Sequence, residues 1–272
     1  MRRRYGAVAP VRYGGGVSVP SMSTLVATVT EAGKIAREYF QDVVAERKAD
    51  RTLVTAADRA VEEFLVARIP AAAPGVRILG EELGVSGVRD GGCTLTIDPI
   101  DGTSAFVAGL PTWCVTVGLV RDGRAVGGIT HLPMTGETYL AEGGEARWNG
   151  RVIPAGRRPA GEGDPFILTH SDVHRSGRVI RFPGKVRALG STAYHMALVA
   201  RGAARAALLG RAHIWDLAAG VALIGAVGGA ICYLSGAPVD LRVLLAGERA
   251  PDYVVVAAPG MLGEILPQLQ VA

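Results

Sequence analysis

Four β-rich runs in the first half of the chain, residues 94–97, 113–121, 124–131 and 137–142, are punctuated by Gly and Pro. Runs of this kind read as strands. The link Arg121-Asp122-Gly123-Arg124 joins two of them, and an Asp-Gly pair tolerates positive φ at both central positions of a tight hairpin. Consecutive hairpins of this type predict an antiparallel sheet.

Helices are expected ahead of that sheet. Residues 22–40 place Leu25, Val29, Ala36 and Phe40 on one face at helical spacing. Thr55 and Asp58 form a capping pattern for a second helix that continues through Val61, Leu65 and Ile69. A short strand over 76–80 then runs into Glu81-Glu82. Beyond residue 160 the pattern changes to strands at 166–169, 185–188, 204–209, 230–234 and 253–257, alternating with helices at 191–200, 216–227 and 261–269. Alternation of this kind predicts an α/β layer. With 272 residues the chain is near the upper size for one hydrophobic core. The expected organisation is a poorly ordered leader over 1–20, an N-terminal α+β lobe over 21–155 and a C-terminal α/β lobe over 156–272.

Bulk properties exclude several classes. Hydrophobic residues make up 49% and charged residues 20%, which is globular rather than disordered composition. The net charge of +4 owes much to Arg2, Arg3 and Arg4, and the other cations are scattered. Without a basic stripe, nucleic acid is disfavoured as a partner. Cys93, Cys114 and Cys232 lie among apolar residues without metal-type spacing, which suits buried free thiols in a reducing compartment. Residues 217–239 carry no charge, yet Gly228-Gly229 and Pro238 interrupt them, so a helix, a glycine turn and a buried strand are expected rather than a membrane span. No apolar signal segment follows the N-terminal arginines, and a cytoplasmic location is expected.

Chemistry concentrates at Ile97-Asp98-Pro99-Ile100-Asp101-Gly102-Thr103. Two carboxylates three residues apart, at a corner stiffened by Pro and opened by Gly, supply the hard oxygen donors that Mg²⁺ favours. Glu81, Asp98, Asp101 and Asp216 are the candidate metal ligands, each at the end of an expected element. Singly, each has a plain structural alternative: Asp216 as a helix N-cap, Asp98 and Asp101 as turn formers, Glu82 as surface charge. His131, His170, His174 and His195 show no metal spacing and read as ordinary hydrogen-bonded side chains, and Trp113 and Trp148 read as packing residues.

Taken together, Gly80-Glu81-Glu82, Asp98-Pro99-Ile100-Asp101-Gly102-Thr103 and Trp215-Asp216-Leu217-Ala218-Ala219-Gly220 resemble the inositol monophosphatase family, the Mg²⁺-dependent, lithium-sensitive sugar-phosphatase group. Leu53-Val54-Thr55-Ala56-Ala57-Asp58 and Gly190-Ser191-Thr192-Ala193 add weaker matches in family order. The resemblance implies a layered α-β-α-β-α sandwich, usually a homodimer. It implies two or three Mg²⁺ ions held by Glu81, Asp98, the Ile100 carbonyl, Asp101 and Asp216. Glu81 and Thr103, with Asp58 behind Thr103, would activate the attacking water. Gly102 and Thr103 amides would hold phosphate, and Ser191, position 209 and Arg211 would contact substrate.

Two departures stand out. Ser104-Ala105-Phe106 replaces the family's Thr-Asn-Phe, and Leu209 stands where inositol-specific members carry a glutamate for sugar hydroxyls. A leucine accepts no hydrogen bond, so a less polyhydroxylated or bulkier substrate is expected. The leading expectation is a Mg²⁺-dependent phosphomonoesterase for a small phosphorylated metabolite: inositol or sugar phosphate, histidinol phosphate, 3′-phosphoadenosine phosphate, or a specialised biosynthetic intermediate. A regulatory or RNA-associated protein is the alternative class.

Overall fold

The computed structural model describes residues 11–12, 18–49, 52–73, 76–87, 92–157, 159, 164–176 and 180–269. Most of the expected leader lies outside the described residues. Within it, Val11–Arg12 pairs antiparallel with Ser18–Val19, and Val19 is buried.

Five layers form. The outermost is a pair of packed helices, α1 (Met22–Tyr39) and α2 (Ala56–Ala72). Thr55 and Asp58 close the expected capping box on α2. Next comes an eight-stranded sheet in the order Arg151–Ile153, Glu145–Trp148, Glu137–Glu142, Arg124–Leu132, Cys114–Arg121, Cys93–Asp101, Arg77–Gly80, Val85–Ser86. It is antiparallel except where Arg77–Gly80 runs parallel to Cys93–Asp101. The Asp122-Gly123 turn has the expected left-handed pair, φ 50° and 76°. The short five-residue helix α3 (Thr103–Val107) follows the Asp98/Asp101 corner.

Helices α4 (Thr192–Ala200) and α5 (Ile214–Val227) form the middle layer. Behind them lies a mixed five-stranded sheet ordered Lys185–Arg187, Phe166–Thr169, Ala206–Leu209, Val254–Ala257, Ala230–Tyr233. The short helix α6 (Leu241–Leu244) packs against α5, and the C-terminal helix α7 (Leu262–Leu269) covers the second sheet. The α-β-α-β-α order expected from the resemblance is therefore present. Two-residue periodicity decides how the layers join. On the strand Cys114–Arg121, Val115, Val117 and Leu119 pack with α1 and α2, while Cys114 belongs to the core on the α5 side.

Glycine sets the approach of α5 to the large sheet. A Cβ at Gly118 would lie 2.5 Å from Ala218 Cβ, and one at Gly128 would lie 2.4 Å from Ala219 Cα. The helix therefore rests on strand backbone, with Gly220 in turn making room for Met196 of α4. The charge-free stretch from Leu217 onward resolves as expected: α5 ends at Gly228 (φ 76°) and the chain returns as the strand Ala230–Tyr233. No described helix is long and apolar enough to cross a membrane.

Candidate active site

The long strand Cys93–Asp101 buries Leu95 and Ile97 against α1 and α2, so its alternate residues Thr96 and Asp98 face α5. Between Asp98 and Asp101 the register slips against the neighbouring strand, and this irregularity re-aims Asp101. Gly102 then adopts φ 100°, and a Cβ there would sit 3.1 Å from the Gly190 carbonyl, so the corner admits only glycine comfortably. From the facing layer, Asp216 enters on the first turn of α5. The sequence suggested Asp216 as the start or N-cap of that helix. The helix instead begins at Ile214 with His213 as N-cap, and Asp216 Oδ2 accepts the His213 N–H at 2.7 Å. Oxygen atoms of Asp98, Asp101 and Asp216 all lie within 4.8 Å of one another.

Three buried acids this close need outside support, and it is uneven. Asp101 is well held: Ser191 Oγ and Ala193 N donate to Oδ2, each at 2.6 Å, and Thr192 N donates to Oδ1 at 3.0 Å. The Cys114 thiol adds a weak bond at 3.6 Å. By contrast, Asp98 Oδ1 is buried without a hydrogen-bond partner. Burial pushes Asp98 well above the usual carboxylate range, and the charges of Glu81, Asp101 and Asp216 push it further. Burial, then Asp101 and Glu81, raise Asp216 to about 7. An orphaned buried oxygen within an all-oxygen, like-charged cluster fits a hard divalent cation.

Glu81 lies on the wall of the same cleft, just past the strand Arg77–Gly80. Lys48 reaches across from the hairpin Ala45–Arg47/Leu53–Thr55, 2.9 Å from Glu81 Oε1, and it also pairs with Glu82. Burial raises Glu81, and the Lys48 ammonium opposes it. The turn behind Glu81 is fixed from α2: Glu62, fully buried, accepts Glu82 N and Leu83 N, each at 2.8 Å. Gly80 leaves room for that carboxyl, because a Cβ there would stand 1.9 Å from Glu62 Oε1. Burial raises Glu62 to about 7. Nearby, Thr103 Oγ1 lies 3.1 Å from the Ile100 carbonyl and 3.3 Å from Asp58 Oδ1. Asp58 Oδ2 accepts Thr55 N at 2.8 Å and Thr55 Oγ1 at 2.5 Å.

These groups open into a cleft of about 880 Å³, whose walls include Glu81, Asp98, Ile100, Asp101, Gly102, Thr103, Arg211 and Asp216. Two expected substrate contacts are not on it. Ser191 is fully buried, caps α4 through Tyr194 N at 3.1 Å and serves Asp101 instead. Leu209 ends the buried strand Ala206–Leu209 with 1% exposure and faces core, not substrate. Lys48, Glu62, Arg47, Arg175 and Arg249 went unnoticed in the sequence, because a charge whose neighbours in the site lie far along the chain carries no local pattern. Only Gly80 ahead of the acidic pair hinted at a close approach.

Most of the other side chains singled out in the sequence behave as ordinary structure, but His170 departs from the hydrogen-bonded reading: its Nε2 is buried without a hydrogen-bond partner and its ring stacks on Tyr253. Cys93, Cys114 and Cys232 are buried and free. Trp113 packs edge-on to Phe106 and near Phe40, and Trp148 stacks on Tyr139. His195 accepts the Leu189 N–H at 3.0 Å, and burial lowers its pKa to about 4.

Comparison with known proteins identifies the family and the fold. The model of the inositol monophosphatase family matches residues 20–264. Inositol-1-monophosphatase ImpA of Mycolicibacterium smegmatis is 34% identical, over 93% of this chain and 94% of its own length. The Thermotoga maritima IMPase structure superposes with a TM-score of 0.78 at 26% identity, covering 91% of this chain and 95% of that one. The extragenic suppressor protein suhB of Bartonella henselae shares the fold, with a TM-score of 0.80 at 24% identity over 92% of this chain and 98% of its own. The chain belongs to the inositol monophosphatase family and is a phosphatase.

Proposed function

We propose that the protein is a Mg²⁺-dependent phosphomonoesterase that hydrolyses a small phosphorylated metabolite by direct attack of water. The observation carrying this reading is the convergence of Asp98, Asp101 and Asp216 within 4.8 Å, with Asp98 Oδ1 buried and unpartnered. These three carboxylates, with Glu81 and the Ile100 carbonyl, would hold the metal. When bound, Mg²⁺ lowers the pKa of water and neutralises charge on the phosphoryl oxygens.

The chain's own groups do the rest. Glu81 and Thr103 Oγ1 orient the attacking water, and the Thr103 hydroxyl relays its proton toward Asp58 Oδ1, 3.3 Å away. Asp58 is pre-aimed for this by the two Thr55 donors on its other oxygen. The Gly102 and Thr103 amides bind phosphate oxygens, the glycine letting the anion approach backbone closely. Lys48 opposes the burial that raises the Glu81 pKa, and it holds the carboxylate in place. No side chain needs to form a covalent phospho-enzyme.

Lithium sensitivity, homodimeric assembly and a cytoplasmic setting belong to the same reading. A phosphate-release panel with and without Mg²⁺ tests it. Asp98→Asn is expected to abolish turnover while the protein stays folded, and an unchanged rate would end the assignment.

A further inference from the structure

A second cleft opens at the far edge of the large sheet. It measures about 350 Å³ and shares no residue with the cleft that holds the carboxylates. Its strands, Glu145–Trp148 and Arg151–Ile153, lie four and five places along the sheet from the strand carrying Asp98. At about 4.8 Å per strand, that is on the order of 20 Å away. The charged residues on its wall are Arg151, Arg157 and Arg201, and no acid lines it among the described residues.

Each arginine is set in place by the fold. Trp148 and Arg151 stand directly opposite each other across the Asn149-Gly150 turn, on the same sheet face as the buried pair Ala146 and Ile153. Behind them, Glu137 Oε2 accepts three donors: Tyr139 Oη at 2.6 Å, Trp148 Nε1 at 2.9 Å and Arg201 Nη1 at 2.9 Å. The Arg201 guanidinium also lies over the Trp148 ring, 4.4 Å from its centroid. Its planar fork is thus held flat with one nitrogen engaged by an acid. Arg157 is brought alongside by its loop. Gly156 N donates to the Val227 carbonyl at 2.8 Å, and a Cβ at Gly202, next to Arg201, would lie 3.5 Å from Arg157 Cγ. Gly202 N and Ala203 N donate to the Val199 and Leu198 carbonyls at 3.0 and 2.9 Å, so these end carbonyls of α4 are satisfied without the guanidiniums.

Arg151 and Arg157 have no carboxylate partner among the described residues. Like charges gathered on one wall repel one another, and a bound anion turns that repulsion into attraction. Guanidinium forks bond carboxylate and phosphate alike. Two linked phosphoryl groups, however, present oxygens in several directions, which suits three forks arriving from separate segments better than one flat carboxylate does. We propose that Arg151, Arg157 and Arg201 form a non-catalytic binding site for a diphosphate group, either free pyrophosphate or the diphosphate of an organic metabolite. The site needs neither Mg²⁺ nor the carboxylates and is independent of the hydrolase reading.

The test is isothermal titration calorimetry on the full chain, stripped of metal on a chelating resin so that the acidic floor of the catalytic cleft repels anions. Pyrophosphate and ADP are the probes, with inorganic phosphate and citrate for comparison. Pyrophosphate is expected to saturate a single site and to bind about 10-fold or more tightly than inorganic phosphate or citrate. Arg151→Gln and Arg157→Gln, both at exposed positions, are each expected to weaken it by about 10-fold, and Arg157→Lys by less. Arg68→Gln, exposed on α2, should leave it unchanged. ADP binding at least as tightly as pyrophosphate supports an organic ligand, and pyrophosphate binding alone supports the free anion. Absence of saturable binding, citrate or inorganic phosphate equal to pyrophosphate, or equal weakening by Arg68→Gln would each overturn the proposal. So would binding that Arg211→Gln abolishes and that Arg151→Gln and Arg157→Gln leave intact, because the anion would then sit in the catalytic cleft. Mg²⁺-dependent phosphate release tests the hydrolase reading separately, so the two can fail independently.

Discussion

Replacing Asp216 by Asn in metal-free protein should raise its stability, and do so only as pH rises. Asp216 has a folded-state pKa of about 7 against an ordinary 3.8, because burial and the Asp101 and Glu81 charges disfavour its ionised form. The folded state therefore grips the proton more tightly than the unfolded chain. Below 3.8 both states are protonated and nothing is lost. Between 3.8 and about 7 the unfolded carboxyl ionises while the folded one does not, so stability falls; above about 7 the loss is complete. The climb corresponds to an upper bound of about 4 kcal/mol. At roughly 2–4 °C per kcal/mol for a chain of this size, that is a ceiling of roughly 8–16 °C. Asparagine keeps an oxygen for the His213 N–H, so little is forfeited in exchange. Thermal melts in chelator at pH 4.5 and pH 8 should show the variant ahead by at most roughly 2–4 °C at the lower pH and by a clearly larger margin at pH 8. Added Mg²⁺ should stabilise the unmodified protein more than the variant. A variant with no pH-dependent advantage would refute the idea that Asp216 is held under electrostatic stress.

Thr103→Ala is expected to lower kcat by about 10²–10⁴ with little change in KM, since its hydroxyl is assigned to proton movement; a change confined to KM in steady-state assays removes it from that role. Ser191→Ala should cost about 1–3 kcal/mol in urea unfolding by stripping a donor from buried Asp101 and a cap from α4, without a selective rise in KM. Glu62→Ala should cost about 1–3 kcal/mol for each of the Glu82 and Leu83 amides it strands and weaken Mg²⁺ binding in calorimetry, whereas Glu62→Gln, which keeps one carbonyl acceptor, should cost less.

What the sequence discloses here is what short-range physics dictates. The Thr55/Asp58 box, the Asp122-Gly123 turn and the Asp-Pro-Ile-Asp-Gly-Thr corner all act within a few residues, so their patterns survive in one dimension. Local pattern also found the main strands, though not the short Glu145–Trp148 and Arg151–Ile153 extensions of the large sheet. It fails where the deciding partner is distant. Lys48 meets Glu81 and Glu62 meets the Glu82 amide across long stretches of chain. Leu209 shows the same limit from the other side. Its alignment with the glutamate of inositol-specific family members suggested a substrate contact, yet only the packing of the second sheet determines that it turns inward. Ser191 lies in a segment that resembles a family motif, but its work is to brace Asp101.

The bare glycine backbone under α5 has an evolutionary corollary. Because Gly118 and Gly128 let Ala218 and Ala219 touch the strands directly, the gap separating Asp216 from Asp98 and Asp101 is fixed by main-chain contact. A duplicated copy of this protein drifting toward a new metabolite has little freedom to adjust its reactive floor, since any side chain added beneath the helix would pry the two halves of the centre apart. Innovation is confined to the rim, where a single exposed arginine can change without disturbing the machinery below.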